Sequence, residues 1–575
     1  MSDATHTAAL AALVELNRRL LENATHHLGA PYGATDTAEM LKSLTAGLAA
    51  DAEHWVELHQ RYSRKQLELW AAFADAANSG SDSAPPPPAD RRFRAPEWRE
   101  PYFNYLAQSY LLASRWLEEL ADAAQLEAHA KRKLGFYTRQ LIDALSPANY
   151  PWSNPEAIRL AAATEGASLR QGLQNLAADM DKGLVSMSDE SAFEVGRNLA
   201  ITPGAVVYEN DFMQVLQYRP LTGTVLERPL LMIPPCINKY YILDLQPDNS
   251  FVRYAVAQGH TVFMVSWRNM PAAMGGATWD DYLEHGVLRA IAVVQQICGA
   301  AQINALGFCI GGTLLGCALA VLRARGEKPV ASATFLTTML DFSDTGELAV
   351  FVDENYVRKR EADFAGGGLL HGRELALTFA SLRANDLIWP YVVNNYLKGR
   401  TPDAFDLLHW NADSTNLPGV MYAYYVRNMY LENNLKIPGR LTMCGVPVDL
   451  GRIDMPAYVL AAREDHIVPW RTAYASTQLL GGPVQFVLAA SGHIAGVINP
   501  AARNRRNFWS SAVLPPAAED WLQNAASQPG SWWPGWSQWL RNCGGAQIPA
   551  PATLGNAQYP EIEAAPGRYV LEKNK

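Results

Sequence analysis

Six cysteines in 575 residues are too few for a disulfide framework, so the fold must rest on buried apolar surface. Basic residues are also in deficit. Lys and Arg number 48 against 57 Asp and Glu, and no basic stripe interrupts the chain, which disfavours nucleic acid as a partner. No P-loop and no dinucleotide fingerprint appears, and no Cys stands at metal-ligand spacing from another Cys or His. The first ten residues, MSDATHTAAL, have neither the basic start nor the apolar core of a signal peptide. One uncharged stretch, residues 291–322, is long enough to cross a membrane. It carries Gly299, Gly307, Gly311, Gly312 and Gly316, so it reads as helix, loop, buried strand, tight turn and buried helix. No transmembrane segment, no cofactor and no metal is expected, and the chain reads as cytoplasmic.

Apolar residues make up 49% of the chain and it holds 16 Trp, enough for large cores. The first third reads as helical. Leu10, Leu13, Val14, Leu20 and Leu21 fall near the helical period, and so do Leu106, Tyr110, Ala113, Leu117 and Leu120. Residues 78–90, NSGSDSAPPPPAD, form a linker between these helices. Beyond residue 191 the pattern changes. Residues 205–218 alternate like strands. Apolar runs follow at 229–233, 261–265, 303–308, 331–336, 457–461 and 484–489, with helical patterns at 279–298 and 313–325. Alternating β and α predicts a parallel sheet covered on both faces. The expected organisation is a helical N-terminal domain, 1–190, and an α/β catalytic domain, 191–575. An aromatic-rich cap is inserted at about 340–452, since a connection that long needs a function or a structure of its own.

The chemistry concentrates at Gly307-Phe308-Cys309-Ile310-Gly311-Gly312. A strand feeds this turn and a helix leaves it, the pattern of a nucleophile elbow with Cys in place of Ser. The plain alternative is a core Cys in a Gly-rich turn. Chain order argues for function, because α/β-hydrolases present nucleophile, acid and His in that sequence. Asp465 follows the run 457–461 and His493 follows 484–489, each at a strand's carboxyl end. A helix N-cap is the plain alternative for Asp465 and a structural loop His for His493. His466 adjoins Asp465 without a required role. An oxyanion hole needs the N–H of Ile310 and a second from the loop after 229–233, either Cys236 or Ile237. A Cys nucleophile suits thioester exchange, which leaves the acyl group activated for transfer to a hydroxyl.

Several unusual segments carry a family resemblance. They are Asp90-Arg91-Arg92-Phe93, Ser146-Pro147-Ala148-Asn149, DESAFEVGRN (189–198), PPCINKYYILDL (234–245), SWRN (266–269), the elbow, NADSTNLP (411–418), REDHIVPW (463–470) and SGHIAGVINP (491–500). Together they resemble a single-subunit, class I polyhydroxyalkanoate synthase, of the α/β-hydrolase superfamily, and Ile310 after the nucleophile favours class I. The resemblance implies polymerisation of (R)-3-hydroxyacyl-CoA, for example 3-hydroxybutyryl-CoA, into polyester with release of CoA. Cys309 is then the nucleophile, Asp465 the acid, His493 the base and Trp410 a cap residue near the substrate. It further implies a homodimer attached to the polymer granule, with phasin-type proteins engaged through the N-terminal region. The same fold and triad also suit a Cys-dependent acyl-CoA thioesterase or an intracellular polyester depolymerase. A granule-coat scaffold is a rival for residues 1–190. Arg383, near the cap, is a candidate for CoA phosphates, with a solvated surface charge as the plainer reading. The tryptophans of 531–539, SWWPGWSQW, read as core or interface.

Overall fold

A computed structural model describes residues 52–79 and 85–573. The helical stripe expected at Leu10–Leu21 and residues 80–84 of the expected linker lie outside them. The chain divides into two compact units. One runs to Met187 and also takes in Phe379–Asp403; the other comprises Ser188–Thr378 and Ala404–Lys575. Residues 379–403, part of the expected cap, therefore group with the helical segment.

The helical unit contains helices Ala52–Ser79, Pro101–Ala123, Ala128–Ala144, Pro155–Ala163 and Ala167–Lys182. Its polar contacts explain two of the unusual motifs. Asp90 caps the turn Arg91–Phe93 by accepting from the Arg92 N–H, and Arg92 donates to the Tyr110 hydroxyl at 2.8 Å. Tyr110 donates in turn to the Ile142 carbonyl, and Asn149 donates to the Asp143 carbonyl. Residues 379–403 join this unit through buried bonds. Tyr396 donates to Asp179 at 2.7 Å, and Lys398 pairs with Glu156 at 2.5 Å.

The larger unit is built on an 11-stranded sheet. Its strands in chain order are β1 Gly204–Glu209, β2 Met213–Tyr218, β3 Leu230–Ile233, β4 Val262–Trp267, β5 Ile303–Phe308 and β6 Val330–Leu336. They continue as β7 Ala457–Ala462, β8 Val484–Ala489, β9 Asn507–Ser510, β10 Ala526–Pro529 and β11 Glu563–Ala564. The spatial order is β10-β9-β8-β7-β6-β5-β3-β4-β2-β1-β11. The block β4-β3-β5-β6-β7-β8 is parallel, and antiparallel strands extend it on both sides. Strands β3, β4, β5 and β7 are buried along their whole length, as strands covered on both faces must be. All six expected runs of the parallel block fall on strands.

The uncharged stretch resolves as expected into the end of helix Arg289–Cys298, β5, a turn, and helix Ile310–Ala324. Among the described residues no helix is long and apolar enough to cross a membrane. The one cation on the inner helix, Arg323, is 6% exposed and pairs with Asp454 at 2.7 Å. The C-terminal tryptophans are core. Trp532, Trp533 and Trp536 all pack on Phe251. Their indole N–H groups donate to the Gly496 carbonyl, the Val497 carbonyl and the Thr334 hydroxyl. The first two bonds brace the helix His493–Val497 from below.

His260 lies in the same core, 0% exposed and 6.4 Å from the Trp536 ring, and neither ring nitrogen has a hydrogen-bond partner among the described residues. Burial, and secondarily the charge of Arg541, pulls its pKa down to about 4. The unfolded chain takes up this proton near pH 6.5, before the folded one does. Stability is therefore present above pH 6.5 and is lost as the pH falls toward about 4. His260→Phe is expected to lose less thermal stability than the unaltered protein between pH 6.5 and 4, measured by calorimetry across that range.

Candidate active site

Because β3, β5, β7 and β8 run parallel, their carboxyl ends share one edge of the sheet, where the loops of such folds gather. Cys309 follows β5 directly, with φ 55° and ψ −127°, in the left-handed half of the map where a non-glycine residue is strained. The surroundings hold it there. Its N–H donates to the Leu336 carbonyl at 3.0 Å, and its carbonyl accepts from the Gly312 N–H at 2.9 Å and the Thr313 N–H at 3.2 Å. Two glycines make the turn sterically possible. A Cβ at Gly307 would lie 2.4 Å from the Gly312 Cα, and one at Gly311 would lie 2.3 Å from the Ile233 carbonyl oxygen.

Asp465 and His493 meet at this edge. The His493 Nδ1 lies 2.6 Å from Asp465 Oδ2, and both residues are buried. The second carboxylate oxygen accepts the N–H groups of Ile467 at 2.8 Å and Val468 at 2.9 Å. Three donors thus fix the carboxylate. Asp465 is not the N-cap of the following helix, Trp470–Ser476, whose N-cap is Pro469. The His493 ring stacks on Phe308 at 5.6 Å, and Cys309 lies close enough to act on its charge. Burial pulls the His493 pKa down, but the Asp465 carboxylate and Cys309 outweigh it and lift it to about 10. Half-buried His466 shares the Asp465 loop, but the imidazole that Asp465 holds is that of His493.

The loop after β3, residues 234–239, supplies the candidate second oxyanion donor. Thr415 fastens it, donating from its N–H to the Ile237 carbonyl at 2.8 Å and from its hydroxyl to the Cys236 carbonyl at 2.5 Å. Trp267 donates to the Pro234 carbonyl at 2.9 Å and Trp410 to the Lys239 carbonyl at 2.7 Å. Trp410 is 4% exposed, so its place is as a brace for this loop within the core. Cys236 and Ile237 both stay candidates as donors. The Cys236 thiol is a packing group, since burial pushes its pKa up. Ile310 opens the helix after Cys309, where the first N–H groups have no intrahelical acceptor. Arg383 lies in the helical unit and pairs with Asp386.

Tyr425 and Tyr430 carry no mark in the sequence beyond their place in an aromatic cap. Tyr425 is buried and Tyr430 half-buried, and both feel the charge of Cys309; Tyr430 also feels Asp465. Their rings pack edge-on at 5.3 Å, with Phe342 against both. The aromatic richness of the segment was the available signal. The wide π-helical turn Val426–Leu431, which aims Tyr430, left none. Among the described residues no group of three or more His, Cys, Asp or Glu side chains is placed to hold a metal ion.

Residues 89–255 match the family model described as Poly-beta-hydroxybutyrate polymerase (PhaC) N-terminus, and residues 229–500 match the alpha/beta hydrolase fold. The chain is 56% identical to the poly(3-hydroxyalkanoate) polymerase subunit PhaC of Cupriavidus necator, over 90% of this chain and 88% of that one. It is 41% identical to the corresponding subunit of Rhizobium meliloti, over 93% of this chain and 89% of that one. It is 38% identical to poly(3-hydroxyalkanoate) polymerase 1 of Ectopseudomonas oleovorans, over 86% and 88%. Among solved structures, a hydrolase from Pseudomonas aeruginosa aligns with 51% of this chain and 92% of its own at 13% identity and a TM-score of 0.31. The carboxylesterase CesB of Bacillus subtilis aligns with 57% and 94% at 16% identity and a TM-score of 0.29.

The proton on His493 stabilises the fold below pH 6.5, where the unfolded imidazole is also charged, and this contribution is lost as the pH rises through about 10. In Asp465→Asn the burial stays and the larger of the two raising charges goes, so the imidazole is expected to lose its proton at a lower pH than in the unaltered protein. Histidine side-chain 15N spectra across pH 5–10, with His493→Gln to assign the signal, measure this directly. A cationic ring persisting above pH 8 in Asp465→Asn would contradict the assignment of Asp465 as the group that sustains it.

Proposed function

The chain belongs to the poly(3-hydroxyalkanoate) polymerase family, acyltransferases of the α/β-hydrolase fold, and from that footing we propose that it polymerises short-chain (R)-3-hydroxyacyl-CoA through a thioester on Cys309. The observation that carries the chemistry is the relay at the elbow. Cys309 is presented by a strained turn beside His493, on whose charge it acts, and the His493 Nδ1 is 2.6 Å from the Asp465 carboxylate.

The reaction starts from the pair in which His493 carries the proton and Cys309 stands as the thiolate. The thiolate attacks the acyl carbonyl, and the N–H of Ile310, with that of Cys236 or Ile237, takes the developing oxyanion. When the intermediate collapses, the bond to the CoA sulfur breaks, and the His493 imidazolium supplies the proton that leaves with CoA. The 3-hydroxyl of a monomer or chain end then attacks the Cys309 thioester. His493 takes the hydroxyl proton, an ester bond forms, and the thiol is released to begin again. The Tyr425–Tyr430–Phe342 cluster, with Tyr425 and Phe342 buried, supports exclusion of water, which would otherwise end the chain by hydrolysis. A closed cap would also block a growing polymer, so it must move during elongation. Assembly as a homodimer, attachment to the granule surface in the cytoplasm, and binding of phasin-type proteins through the N-terminal region complete the proposal. The helices Ala52–Ser79, Pro101–Ala123 and Ala128–Ala144 are compatible with that last role.

Purified protein given (R)-3-hydroxybutyryl-CoA should release CoA and form a matching mass of insoluble polyester. Cys309→Ala should lose on the order of 10^6-fold in kcat, as removal of a nucleophile does elsewhere. Release of CoA with only free 3-hydroxybutyrate would make the protein a thioesterase. Asp465→Asn divides two roles for that carboxylate. Slow first acylation of Cys309 identifies it with orienting His493. Normal acylation with blocked elongation identifies it with activating the 3-hydroxyl.

A further inference from the structure

A buried ammonium stands at the end of the oxyanion loop. The Lys239 side chain is 3% exposed, and its Nζ lies 2.8 Å from Asp413 Oδ1. The same Nζ donates to the Glu572 carbonyl at 2.6 Å. The other Asp413 oxygen accepts from the Tyr241 hydroxyl at 2.9 Å. The Lys239 backbone carbonyl accepts from Trp410 at 2.7 Å. Three segments far apart in sequence thus converge on one residue: the loop after β3, residues 410–415, and the segment around Glu572.

Taking both charges of such a pair out of water costs several kcal/mol each, and a buried ion pair is therefore weak as a source of stability. Its effect lies in geometry, because only one arrangement satisfies both partners. The neighbours of Asp413 show which geometry is fixed. Ser414 forms an antiparallel bridge with Asn238, and Thr415 bonds the carbonyls of Cys236 and Ile237. The ion pair therefore sets the register in which 413–415 lie along 236–239, and with it the orientation of the peptide planes of Cys236 and Ile237. The third partner is itself anchored. Tyr569 donates from its N–H to Gln214 at 3.2 Å and from its hydroxyl to the Asn210 carbonyl at 2.9 Å, and Val570 is buried in the main core. The Glu572 carbonyl is thus tied to β2 and to the turn before it.

We infer that Lys239 is a positioning residue for acyl transfer: through Asp413 and the Glu572 carbonyl it holds the loop that presents the Cys236 or Ile237 N–H to the oxyanion. This rests on the proposed role of that loop in acylation of Cys309. It predicts a loss confined to steps that build an oxyanion. Lys239→Met should acylate Cys309 about 10–100-fold more slowly at saturating (R)-3-hydroxybutyryl-CoA, with KM changed much less, since a misplaced oxyanion donor acts on the transition state. Alkylation of Cys309 by iodoacetamide forms no oxyanion. Followed by mass spectrometry of the Cys309 peptide, it should stay within about twofold of the unaltered rate, a readout that general loosening of the fold would not leave unmoved.

Lys239→Met/Asp413→Asn removes both charges and keeps an acceptor for Tyr241. It should restore thermal stability toward that of the unaltered protein without restoring acylation, and it replaces the single variant if that one does not fold. Acylation within twofold of normal in a folded variant overturns the inference, and so does alkylation that falls in step with acylation. If the unaltered protein is alkylated at Cys309 but never acylated by the thioester, the proposed function falls first and takes the inference with it.

Discussion

A strand that is buried on both faces can hand its chain to a buried helix only through a turn with almost no room in it. That steric constraint organises the catalytic unit. β5 must stop, the helix Ile310–Ala324 must start, and the backbone of β3 must pass close by. The two glycines satisfy the closest approaches, and the residue between strand and helix is left at φ 55°. The strain, of order 1–3 kcal/mol, is sustained by the bonds on either side of Cys309 and by the packing of the inner helix. The same turn leaves the Cys309 side chain half-buried against the core and sets the Ile310 N–H at a helix start. Nucleophile and oxyanion donor thus come from one local geometry.

Electrostatics then follows from burial. His493 and Asp465 are taken out of water, which would discharge the imidazole if it were alone. The carboxylate cannot rotate away because two backbone N–H groups hold its other oxygen. An imidazole wedged between a fixed carboxylate, the Phe308 ring and the Cys309 side chain is a strong base whose protonated form is already solvated by protein dipoles. Trp532 and Trp533, which brace its helix from below, convert core packing into the position of that ring.

Much of this was legible in the sequence because the signals are local. Each parallel strand is a short apolar run between turn residues, and the elbow is six consecutive residues with an unmistakable glycine pattern. Asp465 and His493 could be placed because each directly follows a strand. What stayed hidden depends on contacts across long separations. Nothing near Trp410 states that its indole will donate to Lys239, and nothing near residues 379–403 states that Tyr396 will seek Asp179. The motif PPCINKYYILDL is unusual as a sequence. The reason for its lysine, a partner at Asp413 and a carbonyl at Glu572, exists only after folding. Tyr430 was visible as one aromatic among many, and its aim is set by a π-helical turn that has no sequence signature of its own.

The order of strands in space has a consequence for how the molecule comes into being. β6 and β7 are direct neighbours, paired from Ala333↔Ala457 to Leu336↔Leu460, yet the whole cap segment separates them in the chain. At the far edge β1 waits still longer, since Ala205 pairs with Ala564. During synthesis from the N-terminus, β1 to β6 emerge as a half-sheet whose outer strand is apolar and unpaired until the cap segment has been made. An open, hydrophobic strand edge is a template for intermolecular pairing. Non-local parallel pairing is also intrinsically slow. The interval between emergence of β6 and arrival of β7 is therefore when that apolar edge of the nascent chain stands open to intermolecular pairing.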